Sequence, residues 1–192
     1  LKKITQEVNA FKKELYLKHS IEYIDKVGHK NFKISQLAKE LNTSVGTIYN
    51  LFESKEELYL QYLIFKLKHF LKRLKEHEIN DAMKNLECYL QYKYEIFMQI
   101  DKNKPLVSDP YFFHKLDIAN HDIVIDIYAF LQRQFQQLDG FKKEDYLHEA
   151  ILFKKLSDGF IESYVLQKYD IKDIVQKTMQ NFFYGVKFKS VK

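Results

Sequence analysis

Residues 44–50 read Ser-Val-Gly-Thr-Ile-Tyr-Asn, a hydroxyl-rich stretch without a single charge. On a short helix Ile48, Leu51 and Phe52 point inward, and Val45, Gly46, Thr47, Tyr49 and Asn50 share the outer face. A solvated helix face is ordinarily charged, whereas this one offers a methyl-bearing side chain, a hydroxyl, a phenol and an amide. Those groups suit base edges and phosphate oxygens: Asn pairs with adenine, and Val or the Thr methyl can contact a thymine methyl. Gly46 costs such a helix about 1 kcal/mol against Ala, which makes sense where the backbone must approach another surface closely. Lys55 stands at the start of the next helix, where a phosphate would meet both an ammonium and free backbone N–H groups.

The elements that must position these groups are legible on either side. Ile34, Leu37, Ala38 and Leu41 fall at i, i+3, i+4 and i+7, one apolar face of a helix about two turns long. Ala38 is small where a crossing helix must come near. Asn42 follows, a residue that tolerates the left-handed conformation ending a helix. Ser44 has the chemistry to cap the second helix. Ser54 and Glu57 form an S-x-x-E capping box that opens a third. Two short helices joined by a tight turn, with a third following at once, are the layout of a helix-turn-helix, which places its second helix in the DNA major groove.

With these residues in view, residues 28–58 resemble the DNA-binding head of the TetR family of bacterial transcriptional regulators. The resemblance rests on Gly28 after a long first helix, Ile34 to Ala38, Ser44, Gly46-Thr47-Ile48-Tyr49, Phe52, and Ser54-Lys55-Glu56-Glu57-Leu58. It covers roughly the first 60 residues; beyond them the chain matches in length and helical character alone. The resemblance implies that Tyr49 and Lys55 touch the DNA backbone and that Val45, Gly46, Thr47 and Asn50 face the bases, with Ser44 on the same helix. Two positions depart from the family pattern. Lys33 stands where a Ser or Thr usually caps the second helix, so the cap and the phosphate contact a hydroxyl would make are either missing or replaced by the lysine charge. Asn42 stands where the family prefers Gly.

Composition fits a binding protein. Of the 31 Lys and Arg, 10 lie in residues 1–55 against 6 Asp and Glu, a net of +4 there and +1 over the rest, so the excess positive charge sits on the head, as attraction to phosphates requires. Arg occurs only at Arg73 and Arg133, outside the head, which therefore lacks the usual bidentate reader of guanine and tilts toward A·T-rich sites. No apolar run approaches the ~18 residues that span a bilayer. The single cysteine, Cys88, excludes an intrachain disulfide, fits a reducing cytoplasm and reads as a packed thiol. No glycine-rich phosphate loop, metal-ligand cluster or nucleophile–base arrangement stands out, so no enzyme activity and no cofactor are expected. His114, His121 and His148 lack the tight spacing of a metal site, and no metal is expected there.

The chain as a whole reads as all-α: a three-helix head over 1–54 and a larger helical body over 55–192, about nine helices in total. Ile4, Val8, Phe11 and Leu15 give the first helix a regular apolar face. A long helix from about Lys55 to His77 links head to body. Asn80 or Asp81 caps the next, which ends before Pro105; Asp109-Pro110 reads as a cap with proline at the first helical position. Further helices are expected through Ile118–Leu138, 143–168 and 171–187.

In the TetR family the final helices pair with those of a second subunit, which implies a homodimer here. Leu147, Ile151, Phe160, Tyr164, Ile174 and Phe182 are the candidate interface. Two-fold symmetry then matches a palindromic operator in double-stranded DNA with half-sites about 34–36 Å apart or a multiple of that. Family members commonly bind a small molecule among the middle helices. Tyr89, Tyr92, Phe97, Met98, Tyr111, Phe112 and Tyr128 are candidates to line such a pocket, whose lining suits an apolar or aromatic effector; plain core packing is the competing use of each. The expectation is a cytoplasmic, ligand-responsive repressor with no membrane partner. A helical protein–protein adaptor with a repurposed head and an effectorless architectural DNA-binding protein are the alternatives.

Overall fold

The first helix, α1 (Lys2–Val27), is 26 residues long, and its two halves behave differently. Ser20, Ile21, Tyr23 and Ile24 in the second half are buried, whereas Ile4, Val8, Phe11 and Leu15 in the first half are exposed. The regular apolar face expected of this helix is therefore not the face that packs: the core draws on the opposite side, beginning near Tyr16, whose hydroxyl lies 3.2 Å from Thr43 Oγ1. The structure, a computed structural model, describes residues 2–28, 31–101, 122–167 and 170–185. Side chains of residues 2–3, 97–101 and 162–167 lie outside that description.

Gly28 closes α1 with φ 77°, its N–H donating to the Ile24 carbonyl at 2.8 Å. Positive φ is the conformation glycine reaches at least cost. Helices α2 (Ile34–Glu40) and α3 (Val45–Phe52) follow, then the 22-residue α4 (Lys55–Glu76). Phe32, Leu37, Ile48, Phe52 and Leu58 form the centre of the head. Asp25 near the end of α1 accepts from the Tyr62 hydroxyl at 2.8 Å and from Lys66 Nζ at 2.7 Å, both on α4. By compactness the chain divides into one unit of Leu1–Lys68 with Ile100 and Asp101, and another that takes in His69–Gln99 and the described residues beyond 121; the first division falls inside α4.

The second unit holds the end of α4, then α5 (Ala82–Asp101), α6 (Asp122–Phe135), a 3-10 turn (Lys143–Asp145), α7 (Tyr146–Gln167) and α8 (Ile171–Tyr184). All eight helices described are α-helices, and the described residues include no strand. Asp81 accepts the Lys84 N–H at 3.0 Å and so caps α5; that bond holds its carboxyl below the usual carboxylate range despite slight desolvation. Asp170 caps α8 in the same way, accepting from the Lys172 N–H at 2.8 Å. Phe135 and Phe153 are wholly buried in an aromatic cluster with Phe141, Phe182 and Phe183, where the Phe153 and Phe182 rings meet edge to face at 5.0 Å, a preferred aromatic geometry.

Polar side chains inside this unit are paired, as burial demands. Asn85 Nδ2 donates to Gln134 Oε1 at 2.8 Å and to the Ile79 carbonyl at 2.7 Å, while Gln134 Nε2 donates to Glu78 at 2.8 Å. Thr178 Oγ1 gives its proton to the Ile174 carbonyl at 2.7 Å, so the buried Tyr94 hydroxyl donates to Thr178 at 2.8 Å. Lys93 on α5 reaches across to Ser157 and Asp158 on α7, and Lys154 Nζ lies 3.2 Å from the same carboxylate. Burial pushes the Asp158 carboxyl up, but the two ammonium groups outweigh it and hold it below its ordinary value.

Candidate nucleic-acid interface

Helix α3 is built to stand alone on one face. Ser44 sits in extended backbone, and its Oγ accepts the Thr47 N–H at 3.0 Å, a complete N-cap. The Thr47 hydroxyl in turn lies 2.9 Å from Ser44 Oγ. Inside, Ile48 and Phe52 are buried; outside, Val45, Gly46, Tyr49 and Asn50 are exposed, and Thr47 is half-buried. The exposed face is thus the uncharged face read from the sequence. A Cβ added at Gly46 meets only Ser44 Oγ, at 3.7 Å. Nothing within the head requires glycine there.

The turn before α3 uses Asn42 at φ 48°, the left-handed conformation that Asn reaches more readily than most residues. The Thr43 N–H reaches back 2.9 Å to the Ala38 carbonyl. Lys33 occupies the N-cap position of α2 in extended backbone and makes no side-chain capping bond; its side chain is exposed. Ser54 caps α4 by accepting the Glu57 N–H at 2.9 Å. The Glu57 carboxylate accepts from Gln61 at 2.9 Å. Lys55, the first residue of α4, has its Nζ 5.4 Å from the centre of the Phe32 ring, which aligns its stem along the head.

One contribution was not read from the sequence. Asn9, Ala10, Lys12 and Lys13 of α1 line a cleft of about 470 Å³ with Thr47, Asn50 and Leu51 of α3. Lys13 Nζ lies 5.7 Å from the Phe52 ring centre. The first helix therefore brings two ammonium groups to the flank of α3. The Lys12-Lys13 pair was visible in the sequence, but nothing in its spacing said which element it would accompany.

Of the remaining sequence-derived candidates, those described lie in the second unit. Tyr89 is 1% exposed and packs between Phe70 and Phe153; burial pushes its phenol pKa up. Tyr92 is half-buried beneath the Arg73 guanidinium, 3.5 Å from its ring centre, with His77 edge-on at 5.7 Å. Tyr128 is half-buried with Lys154 Nζ 5.6 Å from its ring centre. Phe97, Met98, Tyr111, Phe112, His114 and His121 lie outside the described side chains. Of the candidate interface residues, Leu147 is exposed and Ile151 and Phe160 are half-buried. Ile174 is only 1% exposed and fills the unit's own core, Phe182 belongs to the aromatic cluster, and Tyr164 lies outside the described side chains.

A capped, uncharged second helix presented from a three-helix head, ahead of a larger helical body, defines a helix-turn-helix regulator fold. Residues 17–62, within the head, match the family model of the bacterial regulatory proteins, tetR family. Among solved structures, the chain resembles the transcriptional regulator FadR from Bacillus subtilis, crystallised in complex with stearoyl-CoA, with 18% identity over 90% of this chain and 98% of that chain and a TM-score of 0.65. At that identity the likeness is one of fold, and it extends from the head through the body. No curated protein sequence matches the chain. No helix among the described residues is long and apolar enough to cross a membrane.

Proposed function

We propose that this chain is a sequence-specific DNA-binding transcriptional regulator, a cytoplasmic repressor that holds a palindromic operator as a homodimer and releases it when a small molecule binds the body. The observation that carries this reading is the outward face of α3: capped by Ser44, free of charge, and flat at Gly46 where no neighbour demands a glycine. Val45, Gly46, Thr47 and Asn50 read base edges, while Tyr49, Lys55 and the exposed Lys33 contact phosphates, with Ser44 holding the helix end in place. Lys13 and Asn9 of α1 flank the same face and add backbone contacts. Residues 1–54 serve as the DNA-binding domain and 55–192 as the effector-binding and dimerisation domain. Leu147, Ile151 and Phe160 are the interface candidates with accessible surface in the protomer.

FadR from Bacillus subtilis was solved with stearoyl-CoA, so long-chain acyl thioesters and acids are the first effector class to try, within the broader apolar or aromatic class that the aromatic middle of the body suits. A switch from nearly full to nearly empty occupancy needs the effector to prefer the non-binding state by about 5.5 kcal/mol.

The test is selection of the purified protein against a random DNA library, with Tyr49→Phe and Lys55→Ala variants alongside. An enriched palindrome, weakened in both variants, is the expected result and supplies the operator for effector titration. A pool that stays unenriched at low salt, where non-specific phosphate attraction is strongest, would overturn the reading in favour of an adaptor.

A further inference from the structure

The exposed stripe on α1 has the spacing of a coiled-coil seam. Ile4, Val8, Phe11 and Leu15 follow each other at intervals of four, three and four residues, the alternation of d and a positions in a heptad. Phe11 is 70% exposed and Ile4 65%, so the head leaves the seam uncovered. All four residues precede residue 17, where the match to the family model begins. Its flanks differ in charge: Glu7 and Glu14 take the g positions on one side, Lys12 and His19 the e positions on the other. Within the protomer His19 lies 3.2 Å from Glu22 on the exposed surface, and Lys12 Nζ rests 5.8 Å from the Tyr16 ring centre.

That asymmetry selects a partner and an orientation. In a parallel pair of such helices each g residue faces the e residue five positions on in the other helix. Glu7 of one copy then meets Lys12 of the other, and Glu14 meets His19, each contact occurring twice by symmetry. An antiparallel pair would set Glu7 and Glu14 against each other and the basic flank against itself. We propose that the first half of α1 is a self-association element that joins the same segment of a second copy of this chain as a short parallel coiled coil. Two heptads bury less than a stable interface needs, so the seam acts as a second tie between copies, strengthening an association through effective concentration. The inference does not depend on DNA binding, and its test uses no DNA.

The experiment is oxidative cross-linking of the full chain in a Cys88→Ala background, with one cysteine introduced at Val8 on the seam or at Gln6 on the opposite side. Val8→Cys is expected to give a disulfide-linked dimer and Gln6→Cys several-fold less. Adding Glu7→Lys to Val8→Cys lowers the yield several-fold, and adding Glu7→Lys with Lys12→Glu restores it. Circular dichroism confirms that each variant keeps its helix content. Equal yields at the two positions, absence of the dimer at Val8, or a yield indifferent to the charge reversals would each overturn the proposal.

Discussion

The Tyr62 hydroxyl donates to Asp25 across 2.8 Å, joining α4 to the end of α1 inside the head. Tyr62 is 3% exposed, and burial first, then the bond to Asp25, pushes its phenol far above the ordinary range, so the group stays a neutral donor throughout the working pH range. Lys66 closes the other oxygen of Asp25 at 2.7 Å. Both oxygens of Asp25 thus tie the end of α1 to the first part of α4 within the head. Tyr62→Phe removes one hydrogen bond and is expected to lower head stability by about 1 kcal/mol, whereas Asp25→Ala leaves the buried hydroxyl unsatisfied and costs about 2 kcal/mol. Urea denaturation of the two variants checks the order.

Gly46 separates stability from recognition. Since an added Cβ meets nothing nearer than Ser44 Oγ at 3.7 Å, Gly46→Ala is expected to stabilise α3 by up to about 1 kcal/mol. In the proposed complex the same methyl stands between the helix and a base edge, so operator affinity is expected to fall. Melting temperature and a binding titration on one preparation measure both. A variant that melts higher and binds as well as wild type would remove Gly46 from the interface.

In the proposed DNA complex Lys55 and Ser44 act differently. Lys55→Ala takes away one phosphate contact and is expected to reduce the slope of log affinity against log salt by about 1, with little change in sequence preference. Ser44→Ala removes the cap on the Thr47 N–H and costs about 1 kcal/mol of stability. Binding measured at several salt concentrations, beside thermal melts, distinguishes a lost charge from a frayed helix.

Asp158 gives the body a pH dependence. Its carboxyl is held below the ordinary value by Lys93 and Lys154 against the opposing effect of burial. A depressed carboxyl pKa stabilises the fold above the unfolded-state value near 4 and ceases to do so as pH falls through the folded value. Asp158→Asn is expected to cost about 3 kcal/mol at pH 7, because it leaves two buried lysines without their shared carboxylate. The gap between variant and wild type narrows below about pH 4. Urea midpoints measured from pH 7 down to pH 3 test the sign.

Asn42 tests the turn. At φ 48° a β-branched residue pays the left-handed penalty, so Asn42→Val is expected to cost about 1–2 kcal/mol, while Asn42→Gly is tolerated. Chemical denaturation of the pair decides whether the departure from glycine at this position carries a stability cost.

The local features of the head were open to reading from sequence because each depends on neighbours within a few residues. Ser44 caps α3 and Ser54 caps α4 through bonds spanning three residues, and the inward positions Ile48 and Phe52 follow from helical period alone. The capping box was half right: Ser54 does its part, but the Glu57 carboxylate turns to Gln61, four residues on, a competitor that pattern matching does not weigh. Which of two apolar faces on α1 would be buried was not legible, because period reports amphipathicity and not the presence of a partner. Only the tertiary structure showed that Ser20, Ile21, Tyr23 and Ile24 are the buried side of α1, leaving Ile4, Val8, Phe11 and Leu15 open, and that Lys12 and Lys13 flank α3. In the body the same limit held: Ile174 and Leu147 share an apolar character, yet one fills the core and the other faces outward. Short-range hydrogen bonds and helical period are properties of a segment. Burial is a property of how distant segments meet, and the sequence states it only as a pattern with more than one solution.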